Sequence, residues 1–382
     1  MTSPDRHADA IVIGGGLHGC ATALHLARAG LSVIVMEKDT VGRHASSANA
    51  GGVRRLGRAL PEIPLAVAAL AAWHRIRDLV DEDCGFASSC QVKVAETEAE
   101  LQALGKRRDT LLQLGFEHEE IIDQAQLREL LPAVAPHCLG GMVVHGDGHA
   151  NPFLTVHAFR RKAQALGVRI VEGVAVESLQ RRGEIWQVGS SQARLEAPIV
   201  VNCAGAWGGH IAAMLGEHAP VVAEALMLMI TARLKPFVTP VVGAQGRKLS
   251  FKQFANGTVL IGGGHQGRAD PASNQTLLNF KGLAASADTA AILFPCLRGA
   301  QVVRCWAGIE GAMPDEIPVI GASAADGAYH AFGFSGHGFA LGPIVGRIIA
   351  DLVTTSKTDL PIDAFDIGRF RNPVTAQPVQ AQ

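Results

Sequence analysis

Residues 8–39, ADAIVIGGGLHGCATALHLARAGLSVIVMEKD, decide the fold of the first part of this chain. Residues 11–13 form a short β-branched run that stops at a glycine, as a buried parallel strand does. Apolar residues then recur at helical spacing as far as Gly30, which is a natural end for a helix. The apolar run 33–36 predicts a second strand. The stretch therefore predicts a βαβ unit at the start of a Rossmann-like α/β domain.

The glycines between the first strand and the helix indicate a dinucleotide-binding site. Gly14 permits the tight turn, Gly16 lets a pyrophosphate approach the backbone, and Gly19 allows the helix to pack closely on the strand. The helix N-terminus offers unpaired N–H groups and a partial positive charge to the phosphates. Glu37 closes the second strand and can accept hydrogen bonds from the adenosine ribose. Its negative charge disfavours the 2′-phosphate of NADP.

A second glycine cluster, GGGHQG at residues 262–267, repeats the pattern after an apolar run. The residues RADP at 268–271 cannot open a helix in register, because a proline disfavours the helical conformation of the residue before it. No second strand that ends in an acid follows at the required distance. We interpret this cluster as a strand end and a turn, and we expect a single dinucleotide per chain.

The composition is that of an ordinary globular protein. The 382 residues suffice for two domains, and 48% of them are apolar while 18% are charged. With a net charge of −1 the chain has no basic field, so we expect no nucleic-acid partner. The seven cysteines are scattered and form no CxxC pair, which predicts neither a metal site nor an iron–sulfur cluster.

The sequence also bears on the location of the protein. Scattered thiols that stay reduced are typical of a cytosolic protein. The polar residues 1–10 lack the apolar core of a secretory signal, and no stretch approaches the roughly 18 apolar residues of a membrane span. We therefore expect a cytoplasmic protein without a transmembrane segment, either free or peripheral to the membrane.

Six segments, in order along the chain, resemble the flavin-dependent amino-acid oxidase family of the D-amino-acid oxidase, glycine oxidase and sarcosine oxidase type. They are the fingerprint ending in MEKD, ASSANAGG (45–52), GDGHANP (146–152), IVVNCAGAWG (199–208), RCWAGIEGAMPDEIPVIG (304–321) and GFSGHGFALGPIVG (333–346). Within the family, SSANAGGVRRLGR and the last segment are most similar to the flavoprotein subunits of opine oxidases and of hydroxyproline or proline dehydrogenases. The resemblance implies one non-covalent FAD per chain.

The resemblance implies an α/β fold with an α+β second domain. The first domain would be a Rossmann-like FAD-binding domain of the glutathione-reductase-2 type, made of residues 1–88, 150–215 and 299–382. The second would be a substrate domain with an antiparallel sheet, made of residues 89–149 and 216–298. Residues 221–234 and 258–264 would belong to this sheet, which roofs the flavin.

The resemblance also assigns contacts to FAD. The first glycine cluster and the end of the second strand would hold the ADP half through Gly14, Gly16, Leu17, His18, Gly19, Glu37 and Lys38. Arg43, Ala45, Ser46 and Ser47 would lie near the pyrophosphate, and Asn49, Ala50, Gly51 and Gly52 along the long edge of the flavin. Val176, Ala204, Gly205 and Trp207 would approach the ADP half, although Trp207 suits a plain core position equally well. Gly308 belongs to the same set.

The glycine-rich residues 333–346 precede an apolar run that predicts a helix. The resemblance implies that this loop lies against the flavin ring and that the helix N-terminus points at the pyrimidine end. A helix N-terminus there stabilises the negative charge of the reduced flavin. The residues that would contact the ring are Gly333, Ser335, Gly336, His337, Gly338 and Phe339. Two distant glycine clusters would then hold one cofactor.

The resemblance implies a substrate amine that lies over the flavin and gives its α-hydrogen as hydride to N5. Both usual carboxylate partners are absent. Glu310 stands where glycine-oxidase-like relatives carry an arginine, and Ala340 where sarcosine-oxidase-like relatives carry a lysine. Arg54 or Arg55 could clamp the carboxylate instead, with Glu310 on a cationic group, or both arginines could sit in salt bridges or on phosphates. Further pocket candidates are His265 and His337.

The electron acceptor stays open at this point. Sarcosine-type oxidases place a lysine over the flavin to promote reaction with oxygen, and a loose alignment puts Ile261 there. This favours a dehydrogenase that passes electrons to a quinone, a carrier or a partner subunit. The alternatives are an oxidase of glycine, sarcosine or a D-amino acid that uses oxygen, and a flavoprotein subunit active only in a hetero-oligomer. We expect the substrate to be an amino acid with a secondary amine, of the opine, proline or N-substituted glycine type.

Overall fold

The computed structural model describes residues 6–192 and 194–371. The strands are β1 (Ala10–Ile13), β2 (Val33–Met36), β3 (Gly52–Val53), β4 (Ala87–Ser88), β5 (Gln91–Ala95), β6 (Glu120–Asp123), β7 (Gly140–Val144), β8 (Gly148–His149), β9 (Arg169–Val171), β10 (Ser178–Arg182), β11 (Ile185–Gly189), β12 (Arg194–Ala197), β13 (Ile199–Asn202), β14 (Val222–Thr231), β15 (Val241–Ala244), β16 (Ser250–Gln253), β17 (Val259–Gly262), β18 (Arg268–Asp270), β19 (Gln275–Leu277), β20 (Val302–Ala312), β21 (Val319–Ala322) and β22 (Ala328–Phe332). The helices are α1 (Leu17–Arg28), α2 (Ala45–Ala48), α3 (Ile63–His74), α4 (Ile76–Val80), α5 (Glu98–Gln113), α6 (Gln124–Leu130), α7 (Pro152–Ala165), α8 (Gly208–Met214), α9 (Phe280–Leu293) and α10 (Gly338–Thr355). Residues 1–5, for which we expected no secretory signal, lie outside the described residues.

The first large sheet has the order β21-β22-β13-β1-β2-β9. The pairs of β1 with β2 and β13, of β2 with β9 and of β13 with β22 are parallel, whereas β21 joins its edge antiparallel. The parallel strands therefore direct their carboxyl ends to the same edge of the sheet. This topology confirms the βαβ unit and the α/β fold predicted from the sequence.

Alternate residues of β1 face opposite sides of this sheet. Ala10 and Val12 belong to a core that includes α1, α7 and α10. Ile11 and Ile13 belong to a second core with Trp186, on the antiparallel sheet β10-β11-β12. Both faces of the strand are buried, which explains why it reads as an unbroken apolar run.

Helix α10 packs along α1 through glycines at four-residue spacing, and these glycines set the distance between the helices. A Cβ atom on Gly342 would lie 2.5 Å from the side chain of Leu17. A Cβ atom on Gly346 would lie 2.5 Å from the backbone of Ala21. Because residues four apart share one helix face, these glycines present bare backbone to α1. The spacing thus has a packing reason that the sequence interpretation did not include.

The second large sheet has the order β20-β14-β17-β16-β15-β5-β7-β6 and is antiparallel except for the pair β15–β5. One face forms a core with α6 and α9 that includes Met227, Phe251 and Ile261. The opposite face covers the first domain, since Trp306 Nε1 donates to Ala48 O at 3.0 Å and Lys252 Nζ donates to Ala50 O at 2.6 Å. We call this eight-stranded sheet the roof sheet. It contains residues 222–231 and 259–262, as predicted.

The second glycine cluster lies at the end of β17 in the roof sheet. The next regular element is β18, which pairs with β19 in a small antiparallel hairpin. Within the described residues no helix begins directly after this cluster, so the interpretation as a strand end and turn is confirmed.

Helix α10 is long and apolar enough to cross a membrane when judged by length and composition alone. The expectation that no stretch approaches this threshold was therefore wrong. Of its 18-residue window, 61% is buried inside the protein, where the helix packs against α1 and α3. A helix in the core of the fold meets the same criterion, so its apolar composition follows from packing.

The strand β20 links the two predicted domains. It lies in segment 299–382, which we assigned to the FAD domain, yet it pairs with β14 along nearly its whole length. This strand is therefore part of the roof sheet. The division into residues 1–88, 150–215 and 299–382 against 89–149 and 216–298 stays a prediction.

The contact between α1 and α10 predicts the effect of adding one methyl group. Gly346→Ala should destabilise the protein by about 1–3 kcal/mol, because the new Cβ overpacks against the backbone of α1. Gly105→Ala in α5 is the matched control, since nothing lies within 4 Å of its Cβ position, and it should stabilise by about 0.4–1 kcal/mol. Urea unfolding followed by circular dichroism measures both. Equal stability of Gly346→Ala and the wild type would contradict the proposed contact.

Candidate functional site

A cleft of about 420 Å³ opens at the carboxyl ends of the parallel strands, where α/β sheets bind ligands. Its walls come from the first glycine turn, the segment after β2, the loop before α10 and the near end of the roof sheet. Gly16 and Gly336 both line it, although 320 positions separate them in the sequence (336 − 16). The fold thus brings the two glycine clusters to one groove.

The N-terminus of α1 is open toward this cleft. Gly16 is the N-cap residue and has no side chain to cap the helix, and no acid lies in the first turn. A Cβ atom on Gly16 would lie 2.8 Å from Ser46 Oγ, which accepts the Leu17 N–H at 2.8 Å. Gly14 has a φ of +107°, a left-handed conformation that favours glycine. The turn therefore presents a cradle of bare backbone and helix-terminal N–H groups, which suits a phosphate.

Glu37 lies beside this cradle at the end of β2. Its side chain is 8% exposed and accepts the Gly15 N–H at 2.7 Å and the Asp39 N–H at 2.8 Å. Burial raises the pKa of the Glu37 carboxyl, which the two backbone N–H groups oppose. A carboxylate has about four lone-pair sites, so it can accept further hydrogen bonds from ribose hydroxyls.

Trp207 closes one end of the cleft together with the turn of the β18–β19 hairpin. Lys38 Nζ lies 3.7 Å from the centre of the Trp207 ring and also donates to Asn274 Oδ1. Trp207 Nε1 donates to Pro271 O at 3.4 Å. Pro271 and Asn274 line the cleft, and the sequence interpretation did not include either of them. Trp207 therefore lies on the cleft wall, in a contact between the two predicted domains.

His337 is the N-cap residue of α10, but its side chain is turned away from the cleft. Its Nδ1 lies 3.4 Å from Glu62 Oε2, and Arg58 Nη1 donates to His337 O at 2.9 Å. Burial lowers the pKa of the His337 imidazole. The structure does not place His337 on the cleft wall, and neither Arg58 nor Glu62, which contact it, lines the cleft.

Gly336 and Glu310 meet at the mouth of α10. The Gly336 N–H donates to Glu310 Oε1 at 2.6 Å, so a carboxylate occupies a donor that we expected to face the flavin. Burial, with a smaller contribution from the charge of Glu224 directly opposite on β14, raises the pKa of Glu310 to about 7, and the Gly336 N–H opposes this shift. The Ser335 hydroxyl accepts the Met313 N–H at 2.9 Å instead of facing the cleft.

His18 packs on the other side of this loop. Its ring stacks on Phe334 with centroids 3.7 Å apart and planes at 6°. Burial lowers the pKa of the imidazole to about 3, so His18 is neutral at neutral pH. It contributes an aromatic surface to the cleft and no positive charge to the phosphates.

Most residues expected to contact FAD line the cleft. They are Gly14, Gly16, Leu17, His18, Glu37, Lys38, Arg43, Ala45, Ser46, Asn49, Val176, Ala204, Gly205, Trp207, Gly333, Gly336, Gly338 and Phe339. The cleft wall does not include Gly19, Ser47, Ala50, Gly51, Gly52, Gly308, Ser335 and His337. Some of these have packing roles, since a Cβ on Gly19 would collide with Gly14 O and one on Gly308 with the Ala48 side chain.

The substrate-binding candidates are spread over several places. Glu310 lines the cleft. Arg55 is engaged by Asp147, with Nε 3.1 Å from Oδ1, and by His145 O at 2.5 Å. Arg54 donates to Leu56 O. His265 lies beyond the cleft wall, where its Cβ approaches the start of α9.

Ile261 is in the wrong orientation for the role that the sequence interpretation considered. It belongs to the core on the helix-covered face of the roof sheet, with Phe251 as its partner on β16. The neighbouring pair, Lys252 and Leu260, lies on the face turned toward the first domain. The argument for a dehydrogenase from Ile261 therefore has no geometric basis. The missed residue is Lys252, a lone lysine within the alternating strand SFKQF.

The groups on the cleft wall fit FAD. An uncapped helix N-terminus and a glycine cradle suit the pyrophosphate, and Glu37 suits the ribose. The second helix N-terminus, that of α10, reaches the same cleft through Gly336 and Gly338 and suits a ring that becomes negative on reduction. In the residues that the structure covers, no three His, Cys, Asp or Glu side chains are grouped so that they could hold a metal ion.

Comparisons with known proteins agree with this fit. The model of the family DAO, described as FAD dependent oxidoreductase, matches residues 9–352. One of the subunits of opine oxidase from Rhizobium meliloti is 25% identical over 376 residues, 95% of this chain and 97% of that protein. Glycine oxidase of Geobacillus kaustophilus (strain HTA426) is 26% identical over 374 residues, 95% and 96% of the two chains. The crystal structure of L-proline dehydrogenase from P. horikoshii has the same fold, with a TM-score of 0.88, 24% identity and coverage of 96% and 98%.

The position of Glu37 predicts its effect on cofactor affinity. Glu37→Gln should weaken FAD binding about 10–100-fold, since hydrogen bonds to a charged group contribute about 1.5–3 kcal/mol. Glu184→Gln, an exposed position at the β10–β11 turn, is the matched control and should leave the affinity unchanged. Flavin fluorescence during titration of the apoprotein measures both. A native affinity of a folded Glu37→Gln variant would contradict the assignment.

Proposed function

Because the chain belongs to the DAO family of FAD-dependent oxidoreductases, we propose that it oxidises the C–N bond of an amino acid with a secondary amine. The FAD cofactor, when bound, accepts a hydride at N5. The hydride comes from the α-carbon, the amine loses a proton, and water hydrolyses the resulting imine to an oxo acid and a free amine. The chain's own residues bind the carboxylate, orient the amine and keep bulk water from the reacting atoms.

The observations that carry this proposal are a flavin-type cleft with an acid on its wall, and an arginine without an ion-pair partner among the described residues, near the loop that precedes α10. Glu310 lies on the cleft wall at the N-terminus of α10. Arg54 follows the flavin-edge segment, and its charge affects the pKa of His337 in the loop before α10, so it lies near that loop. A zwitterionic amino acid offers the complementary pair of charges.

Arg54 is the better of the two arginine candidates for the carboxylate. Arg55 is committed to Asp147 and to a backbone carbonyl. Arg54 makes one hydrogen bond to a backbone oxygen, and within residues 6–192 and 194–371 no carboxylate lies in ion-pair distance of it. Its planar fork has donors left for a bidentate carboxylate.

Glu310 has the chemistry to receive the proton that leaves the substrate amine. Burial sets its pKa to about 7, well above an ordinary carboxyl. A carboxylate of this basicity, with one oxygen held by the Gly336 N–H, pairs with a substrate ammonium and can take its proton. The neutral amine is the form that donates hydride.

The electron acceptor and the location belong to the same proposal. The opine oxidase relative is itself one subunit of an enzyme, which supports a partner that takes up the electrons in a hetero-oligomer. A quinone would serve the same role, and the similarity to a glycine oxidase supports molecular oxygen as the alternative acceptor. A cytoplasmic location is part of this proposal.

The reaction class predicts which compounds reduce the flavin. Under anaerobic conditions, N-substituted amino acids and proline analogues should bleach the oxidised-flavin absorbance of the FAD-loaded protein, whereas hydroxy acids of the same skeleton should not. Admission of air to the reduced protein then distinguishes the possible electron acceptors. Fast recovery with release of hydrogen peroxide indicates an oxidase, and slow recovery that a soluble quinone accelerates indicates a dehydrogenase. Failure of every amine in the panel to bleach the flavin would contradict the proposal.

The pKa of Glu310 predicts a pH dependence of substrate binding. Below pH 7 its carboxyl is protonated and neutral, and above pH 7 it is a carboxylate that attracts the substrate ammonium. The dissociation constant of an amine substrate should therefore fall by up to about tenfold per pH unit as the pH rises from 5.5 toward 7. Glu310→Gln should remove this dependence, while the exposed Glu184→Gln keeps it. Anaerobic absorbance titrations from pH 5.5 to 8.5 measure the dissociation constant. The same pH dependence in Glu310→Gln as in the wild type would contradict the role of Glu310 as the partner of the substrate ammonium.

A further inference from the structure

The roof sheet carries a buried lysine that faces the first domain. Lys252 in β16 is 2% exposed, and its Nζ donates to Ala50 O at 2.6 Å and lies 5.0 Å from the centre of the Phe254 ring. Burial lowers the pKa of this ammonium to about 7. An ammonium has three donors, and the backbone oxygen of Ala50 uses one of them. The lysine therefore has donors to spare beside the flavin-edge segment.

A second cationic position lies farther along the same face of the sheet. Val92 and Val94 of β5 pack in the helix-covered core, so Lys93 between them faces the first domain. Burial lowers the pKa of Lys93 to about 8, and the charge of Arg54 contributes to the same shift. Lys93 and Arg54 are thus electrostatic neighbours, one from the roof and one from the segment beneath it.

None of the three cations forms a direct ion pair in the described residues, although the charges of Glu62 and Asp147 act on Arg54 and that of Glu119 acts on Lys93. Three nearby carboxylates are already taken by other arginines, in the pairs Asp147–Arg55, Glu62–Arg58 and Glu119–Arg107. Throughout the part of the chain that the structure describes, Lys252, Lys93 and Arg54 have no carboxylate oxygen within 4.0 Å. Buried charge without a partner is costly in free energy, so a group of such cations on facing surfaces of the two sheets is typical of a site whose anion comes from a ligand.

In the roof sheet, one strand, β15, lies between the strands that carry Lys93 and Lys252. Lys93 is aligned with Gly243 of β15, and Gly243 with Ser250 of β16. A Cβ on Gly243 would meet a single atom within 4 Å, Leu249 O at 3.3 Å, so no side chain packs directly on this glycine between the lysine-bearing strands. These strands, β5 and β16, lie two spacings apart, roughly 10 Å. Flexible lysine side chains can bridge that width to a ligand with an anionic group at each end.

We propose that the substrate is an amino dicarboxylate, a secondary amine with a carboxylate on each arm, held by Arg54 with Lys93 at one end and by Lys252 at the other. This inference rests on the proposed function and names its substrate class. A monocarboxylate amino acid such as proline or N-methylglycine satisfies one end and leaves the other cation unpaired. An N-(carboxyalkyl) amino acid satisfies both.

Unreactive acids test the two-point site without any turnover. Titration of oxidised, FAD-loaded protein with glutarate and with pentanoate compares a dicarboxylate with a monocarboxylate of equal chain length, and flavin difference spectra and thermal shift report binding. Succinate and adipate bracket the spacing. We expect the best of the three dicarboxylates to bind about 10–100-fold tighter than pentanoate, the worth of one charge-assisted contact. Equal affinities for all four acids would overturn the proposal.

Lys252→Met isolates one end of the site. It should remove the preference for the dicarboxylate and leave pentanoate binding unchanged, whereas Lys252→Arg should retain part of the preference. Lys357→Met, an exposed lysine after α10, is the matched control and should behave as the wild type. Native circular dichroism and flavin content establish that each variant is folded. If the only role of Lys252 is its hydrogen bond to Ala50 O, Lys252→Met should weaken the binding of the dicarboxylate and of pentanoate equally, which would contradict the proposal.

The remaining outcomes separate this inference from the proposed function. If amines bleach the flavin but the protein binds dicarboxylates no more tightly than pentanoate, the proposed amine oxidation stands and the two-point site is contradicted. A dicarboxylate preference that depends on Lys252, in a protein that no amine reduces, retains the anion site and overturns the amine oxidation. A Lys252→Met variant that slows reoxidation by air but keeps the preference assigns Lys252 to the oxygen reaction and also overturns its role as an anchor.

Discussion

The close contact between α1 and α10 is the constraint on which the rest of the structure depends. The glycines of α10 that face Leu17 and Ala21 leave no room for a Cβ atom, so the two helices approach to backbone distance. Each helix begins at the same cleft, α1 after Gly16 and α10 after the loop at Gly336. One packing contact between the two ends of the chain therefore fixes both positive helix ends relative to each other. A long cofactor with negative charge at two places requires such a fixed distance.

The roof sheet is aligned on this framework through a short segment of the first domain. Trp306 and Lys252 donate to the carbonyl oxygens of Ala48 and Ala50, and Gly308 packs against the Ala48 side chain. These contacts come from two strands of the roof and meet within three residues. In β5 and β16 the alternation directs Val92, Val94 and Phe251 to the core with α6 and α9, so Lys93 and Lys252 lie on the opposite face. The substrate space is thus defined by residues that also join the two sheets.

The parts of the fold that the sequence could predict are those whose physical cause is local. The first glycine turn, its helix and Glu37 lie within 24 positions (37 − 14 + 1), and the function of each follows from its neighbours in the chain. The position of Ile261 could not be predicted in this way. Adjacent residues of a strand lie on opposite faces, so an alignment that is wrong by one residue selects the wrong face. The surroundings of His337 are not local either, because Arg58 and Glu62, which contact it, are about 280 positions away in the sequence. Lys252 and Lys93 share a face only through the register of β15 with β5 and β16, which no local pattern contains.

The acids and the lysines of the roof sheet lie at different places, and burial lowers the pKa of both lysines. Glu310 and Glu224 stand at the α10 end of the roof sheet, whereas Lys252 and Lys93 lie on strands farther across it. Lys252, a buried ammonium whose pKa is about 7, is partly deprotonated at neutral pH, which lowers the cost of leaving its charge without an anion. A carboxylate that arrives beside Lys252 favours the charged form and raises that pKa. Binding of an anion is then coupled to uptake of a proton near neutral pH, which makes the affinity of this pocket a property of the ligand's charge as much as of its shape.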